Sequence, residues 1–231
     1  MMRVSGYRSR WNFVLKRCAG RTVLHLGCIG ETDASPHEKL RAFIQRRVLH
    51  PHLMVIGREV VGVELDAAAV ELIRSALGVP SILIANVEHL DNLELDRTFD
   101  VVLCTNLLEH LSSPGQALEG IRRFMGPQSE LIVSTPNSFA LLANLKFTLG
   151  YFEEGAQHVA SFSKFNLITL LERHGFSVAE LHTCYDRPPA SRRQRILFAL
   201  GTTLFRLFPE RGGTLLAVAT KTAGQGLSPA S

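Results

Sequence analysis

The residues of this 231-residue chain best suited to chemistry lie between Val23 and Glu31, which read VLHLGCIGE. Val23, Leu24, His25 and Leu26 make a short, largely apolar strand that runs into Gly27-Cys28-Ile29-Gly30. A buried strand ending in a glycine turn lets backbone N–H and C=O groups approach a ligand with no Cβ in the way. In α/β proteins, nucleotide-type sites are built this way at the carboxyl ends of strands. Glycine also serves tight strand-to-helix turns that hold no ligand, so the turn by itself marks a place for chemistry and not a reaction.

The flanking segments show what must position that turn. Ser35-Pro36-His37-Glu38 reads as a helix start, with serine at the N-cap, proline at the first helical position and glutamate closing a capping box. Leu40, Phe43, Ile44 and Val48 fall on one helical face, and Pro51 lies beyond the end. Glu59–Leu65 is a second strand, apolar enough to be buried on both faces. Asp66 can cap a helix over Ala67–Leu77 that Gly78 closes. Ser81–Ala85, Phe99–Thr105 and Leu131–Thr135 read as further strands. A helix opening at Ser113-Pro114 turns Leu118, Ile121 and Met125 inward and stops at Gly126. Beyond a helix near Ser138–Leu149 and a polar loop to Ser161 come a helix over Lys164–His174, Gly175 and a strand over Phe176–His182. A basic loop over 186–195, an apolar helix over Ile196–Phe208, a Gly212-Gly213 turn and a strand over Thr214–Thr220 complete the order. This alternation predicts an α/β fold, a Rossmann-like, seven-stranded, mostly parallel sheet with helices on both faces.

Composition narrows the class. With 46% hydrophobic and 20% charged residues, the chain can bury a sizeable core and has an ordinary surface. Cys18, Cys28, Cys104 and Cys184 show no CxxC or CxxH spacing, which argues against a zinc site or disulfide framework and for a reducing, cytoplasmic setting. No apolar run is long enough for a signal peptide or a membrane-spanning helix. Residues 1–30 and 187–231 each carry a net +6 against +4 for the whole chain, leaving −8 for 31–186. Basic ends on an acidic body suit an anionic or lipid-linked partner, or are solvated surface. Residues 1–21 read as a basic N-terminal segment, helical from Ser9 onward around Trp11, Phe13, Val14 and Leu15; 22–221 read as one domain and 222–231 as a flexible tail. Within Arg192–Phe208, RRQR before an apolar stretch fits either an interfacial helix at a membrane surface or a helix packed on the sheet. No RNA-binding motif is present.

In this order, the motifs VLHLGCIGE, VVGVELD, FDVVLCTNLLEHL and LIVSTPN, followed by His158, Phe162-Ser163, Leu170-Leu171 and Gly175-Phe176, carry a family likeness. The run over roughly 20–182 resembles the class I S-adenosylmethionine-dependent methyltransferases, in the small-molecule branch related to ubiquinone-biosynthesis O-methyltransferases. The resemblance implies S-adenosyl-L-methionine as cofactor, an antiparallel last strand, and an acceptor pocket built by the variable segments 1–21, 138–162 and 183–212. It places the methionine end of the cofactor at His25, Gly27, Cys28 and Gly30, the ribose at Glu64 beside Leu65, and the adenine at Asn86 and Val87. Asn106 and the segment to His110 would face the sulfur and the acceptor. Some relatives carry E-x-x-E-H here and bind a divalent metal with a later histidine. This chain has Asn106 for the first glutamate, keeps Glu109-His110 and His158, and is assigned no metal.

Methyl transfer from a sulfonium is an in-line displacement, so the protein aligns the partners and, for a hydroxyl acceptor, removes a proton. His110 or His158 suits that role, which predicts an O-methyltransferase acting on a sugar, a quinone-like ring or a natural-product intermediate. The alternative is a methyltransferase-like binding or scaffolding protein without catalysis. A nicotinamide-dependent oxidoreductase is disfavoured, since no GxGxxG follows the first strand. Two departures stand out against the D-x-G-x-G-x-G of relatives. His25 replaces the acid, and Ile29 and Glu31 stand where glycine is usual; β-branched Ile29 resists positive φ, so the loop must take another path. In addition, 37 positions separate Gly27 from Glu64, against about 20 in dinucleotide folds, and the extra length holds His37, His50 and His52.

Overall fold

Apolar runs buried on both faces form the centre of one eight-stranded sheet in the computed structural model, which describes residues 4–7, 9–30, 33–150, 157–184 and 208–222. The strands are β1 (Val4–Tyr7), β2 (Thr22–Leu26), β3 (Glu59–Glu64), β4 (Ile82–Ile84), β5 (Phe99–Thr105), β6 (Met125–Pro136), β7 (Phe176–Cys184) and β8 (Thr214–Lys221). The helices are α1 (Arg10–Cys18), α2 (Pro36–Ile44), α3 (His50–Ile56), α4 (Ala67–Leu77), α5 (Pro114–Arg123), α6 (Leu141–Thr148) and α7 (Lys164–Arg173). The sheet order is β1-β7-β8-β6-β5-β2-β3-β4. β8 runs antiparallel to both β6 and β7, and every other pairing is parallel. The Rossmann-like sheet with an antiparallel last strand is therefore the observed architecture.

Period-two burial divides the core into layers. Leu24, Leu26, Val102, Cys104, Leu131 and Val133 face one side and pack with Leu118 and Ile121 of α5 and Leu167 and Leu171 of α7. Val23, Val101, Leu103 and Ile132 face the other and meet Phe13, Val14 and Cys18 of α1 and Leu53 of α3. A third cluster joins Cys28 and Ile29 to Phe43 of α2 and Val70 and Ile73 of α4. Each fully buried aliphatic side chain in these layers contributes roughly 1.5–3 kcal/mol. On the strand face beside α1, Arg17 and Arg21 pair with Glu130 of β6, and Arg17 also with Glu180 of β7.

Local chemistry sets most helix ends as the sequence predicts. Ser35 and Glu38 form the capping box of α2, and the Asp66 carboxylate accepts from Ala69 N at 3.0 Å. Gly78 closes α4 in the left-handed region at φ 64°.

Other expectations are corrected. The N-terminal segment is not helical alone, because Val4–Tyr7 adds an eighth strand in parallel register with Leu181–Cys184. The helix expected to carry Val48 on its apolar face stops at Ile44, which is exposed, and the chain turns through Arg46 at φ 52°. Pro51 does not follow a helix end but sits in the first turn of α3, where its missing N–H costs nothing. Met125 begins β6 instead of closing α5. The basic loop over 186–195, the apolar run up to 207, Glu31 and the tail from 223 onward lie outside the described residues. Among the described residues, no helix is long and apolar enough to cross a membrane.

Candidate active site

Chain order places a crevice beside β2. From β2 the chain builds outward through β3 and β4, then returns to the opposite side with β5 and β6. Loops leaving the carboxyl ends of β2 and β5 diverge there, which is where open α/β sheets hold ligands. The two loops abut, since a Cβ on Gly27 would lie 3.2 Å from Leu107 Cδ1.

The glycine turn solves its conformational problem with its own spacing. Gly27 and Gly30 take positive φ, 65° and 94°, while Ile29 does not and is buried. The turn thus follows a path that suits a β-branched residue between the glycines. Its amides are directed back at β3: Gly27 N and Cys28 N both donate to Val63 O, at 2.9 and 3.4 Å, and Ile29 N donates to Glu64 Oε2 at 3.1 Å. The Cys28 side chain is buried, and burial pushes its thiol well up, with the Glu64 carboxylate adding to the effect. Glu64 also accepts from Leu65 N at 3.0 Å, through Oε1. Each of its oxygens keeps a second lone pair for a hydroxyl donor. Leu65 beside it exposes an apolar side chain. Asn86 caps the 3₁₀ turn Val87–Asn92 by accepting from Glu88 N at 2.9 Å, and Val87 is buried.

In the loop after β5, Asn106 is one of two described non-glycine residues at positive φ, 49°, a region asparagine tolerates. Its Oδ1 accepts from Ser134 Oγ at 3.1 Å, and Ser134 Oγ accepts from Arg10 Nη1 at 3.0 Å. Arg10 was not among the residues the sequence singled out. Its guanidinium lies close enough to hold down both the His25 imidazolium and the proton affinity of the Glu109 carboxyl. The signal for it was its place as the first residue of an amphipathic helix in a basic run.

Glu109, His110 and His158 come together. One ligand atom from each lies within 4.8 Å of the others, and the His110 and His158 rings meet edge to face with centroids 4.9 Å apart. The Glu109 side chain is buried, its Oε2 has no hydrogen-bond partner among the described residues, and burial pushes its carboxyl up. The backbone carbonyl of Glu109 accepts from Val159 N at 2.8 Å, which ties the His158 segment to the β5 loop. His110 Nδ1 lies 3.2 Å from Gln157 O; a carbonyl only accepts, so Nδ1 carries a proton and the neutral ring has its lone pair on Nε2. His25, by contrast, is buried away from this group, with Nδ1 3.2 Å from Nδ1 of His50.

A sheet with this strand order, a glycine turn after β2, an acid closing β3 and an Asn-to-His segment after β5 define the class of the protein. The family model described as a methyltransferase domain matches residues 10–181, and the chain belongs to that family. It is 25% identical over 145 residues to the mitochondrial ubiquinone biosynthesis O-methyltransferase of Schizosaccharomyces pombe, covering 61% of this chain and 45% of that protein. The chain spans about half the length of the curated relatives it matches. A SAM-dependent methyltransferase structure from Archaeoglobus fulgidus superposes with TM-score 0.55 at 19% identity, covering 92% of this chain and 91% of that one. Magnesium protoporphyrin IX methyltransferase of Synechocystis PCC 6803, solved with bound SAH, gives TM-score 0.52 at 16% identity over 92% and 79% of the two chains. These structures establish the fold.

Proposed function

We propose that this protein transfers the methyl group of S-adenosyl-L-methionine to a hydroxyl of a small molecule. The observation that carries the reading is His110, oriented by Gln157 O so that Nε2 is free to accept a proton, beside His158 and at the loop that abuts the glycine turn. S-adenosyl-L-methionine supplies a methyl group already activated on a sulfonium. The chain has residues that fit it: Glu64 for the ribose hydroxyls, Leu65 for an apolar contact, Asn86 and Val87 for the adenine edge, and the Gly27–Gly30 turn for the methionine end. Gly27, at positive φ and with Leu107 against it, leaves room that a side chain would fill. Asn106, held by Ser134, orients the acceptor loop, and His110 or His158 takes the hydroxyl proton. Calorimetric titration with S-adenosyl-L-methionine, followed by turnover with hydroxyl acceptors, tests this. The catalytic assignment fails if His110→Ala and His158→Ala both keep wild-type turnover.

A second reading is favoured by the orphaned Glu109 Oε2. Glu109, His110 and His158 form a carboxylate–imidazole set of the kind that holds a divalent transition metal. A cation there would lower the pKa of an acceptor hydroxyl as a Lewis acid. Loss of turnover on chelation, restored by one divalent cation, would select this reading.

The exposed surface that follows β6 supports one acceptor class. Phe139, Leu145, Phe147 and Leu149 are exposed where the chain leaves β6, next to Lys146 and Arg211. We read this as an entry for an amphiphilic, lipid-linked or anionic acceptor. The four cysteines are free and buried, which favours a reducing, cytoplasmic compartment.

A further inference from the structure

Two departures noted in the sequence, a histidine at position 25 and a long connection between β2 and β3, meet in one place. α3, part of that connection, carries His50 under the glycine turn. The His25 and His50 rings meet edge to edge through their Nδ1 atoms, which are 3.2 Å apart, with centroids 5.4 Å apart and planes 24° apart. Both residues are buried, His50 completely.

Only one proton can lie between the two Nδ1 atoms, and the surroundings decide which ring owns it. Nε2 of His50 is buried and has no hydrogen-bond partner among the described residues, in a pocket walled by Phe43, whose ring centroid is 6.0 Å away. If His50 accepted at Nδ1, its proton would sit on Nε2 as an orphaned buried N–H. Buried orphan donors are rarer than under-used acceptors, and each costs the full desolvation of the group. His50 therefore donates from Nδ1, His25 accepts at Nδ1, and the proton of His25 sits on Nε2. The pair is also packed against the turn. A Cβ on Gly62 would lie 2.9 Å from His50 Cε1 and 2.6 Å from Cys28 Sγ, so His50, the β3 backbone and Cys28 are in close sequence through space. Among the described residues, the charged or titratable groups facing the pair are Arg10 from α1, acting on His25, and Cys28 of the turn. Glu64 at the end of β3 acts on Cys28 in turn.

We infer that His50 is a positioning residue for the cofactor turn: its Nδ1–H fixes His25 as the Nε2–H tautomer, and its ring props Cys28 and hence Gly27–Gly30. The inference rests on the reading that this turn holds S-adenosyl-L-methionine. It makes the extra chain between β2 and β3 the support for a histidine in place of an acid.

The test compares His50→Phe, which keeps a ring and removes the donor, with His50→Asn, which restores a short N–H donor. Binding of S-adenosyl-L-methionine is measured by calorimetry, and imidazole tautomers by long-range ¹⁵N–¹H spectra of the unliganded protein. We expect spectra showing His50 Nδ1–H and His25 Nε2–H. His50→Phe should bind about tenfold more weakly, the scale of leaving one buried partner unsatisfied, with His50→Asn recovering to within roughly threefold. Wild-type affinity in His50→Phe, or a proton on His50 Nε2, would overturn the inference. Should His50→Phe not fold, the spectra and His50→Asn still decide: no binding by a folded His50→Asn counts against it. A wild-type protein that binds no S-adenosyl-L-methionine would instead overturn the cofactor reading beneath it.

Discussion

Replacing Gly62 by alanine tests how tightly the turn is braced. The added Cβ would lie 2.6 Å from Cys28 Sγ and 2.9 Å from His50 Cε1, distances at which one neighbour must move. Neither neighbour is a loose side-chain end. Cys28 is buried in the turn, and His50 is buried and bonded to His25. Overpacking of this kind costs about 1–3 kcal/mol. Against it stands a gain of about 0.4–1 kcal/mol, because alanine restricts the unfolded chain more than glycine does. The strain wins, leaving a net loss of about 1–2 kcal/mol. In a chain of 231 residues this lowers Tm by roughly 2–8 °C. Since the displaced group is Cys28, affinity for S-adenosyl-L-methionine should fall as well. Differential scanning calorimetry and binding titration of Gly62→Ala, alone and with Cys28→Ala, measure both effects. Removing Sγ should recover part of the loss, a coupling of at least about 0.5 kcal/mol. A Gly62→Ala protein that melts at or above wild type and binds normally would refute the argument.

Acid should destabilise the protein before its carboxylates titrate. Burial lowers His50 from 6.5 to about 4 and lowers His25 as well, so their contribution is complete above pH 6.5. It is lost as pH falls toward 4, because the unfolded chain takes up protons that the folded pair refuses. Urea unfolding at pH 7 and 5 should show a drop of about 1–3 kcal/mol, and a flat profile would sink the idea. Asp66→Ala removes both the cap on α4 and the partner of buried Lys39, so its cost should reach about 3 kcal/mol, against about 1 for a cap alone. Asp66→Asn keeps a capping oxygen but loses the charge, so an Asp66→Asn protein as stable as wild type by denaturant titration would contradict the lysine argument. Arg10→Ala should raise the Glu109 carboxyl further, read as a higher titration midpoint of its carboxyl ¹³C resonance; an unmoved midpoint would show that Arg10 does not act there.

The parallel sheet was readable because its strands are nearly continuous apolar runs, each bounded by a capping or turn residue such as Ser35, Asp66 or Gly78. β1 was not, because VSGY is short, carries a glycine and owes its pairing to Leu181–Cys184, far along the chain. The end of α2 was misjudged because Val48 matched the helical period while Arg46 broke the backbone path. In the site, the family resemblance set Glu109-His110 and the later His158 side by side, and the three do meet; residue types alone carried no such signal. The direction of the turn amides toward Val63 and Glu64 was not legible, because it depends on how β2 and β3 stagger. Arg10 with Ser134, and His25 with His50, are tertiary pairs for which local pattern carries no signal.

The strand Val4–Tyr7 also has a bearing on how the protein is handled. It covers the last four residues, Leu181–Cys184, on one flank of β7, whose other side is taken by β8. With the first residues trimmed or pulled away by a fusion, β7 would present a bare row of backbone donors and acceptors, a template for another chain to add to the sheet. The same cut would release α1, and with it Arg10, from the strand that leads into it. A truncated preparation should therefore lose solubility and cofactor affinity together, and recover both when the missing strand is supplied.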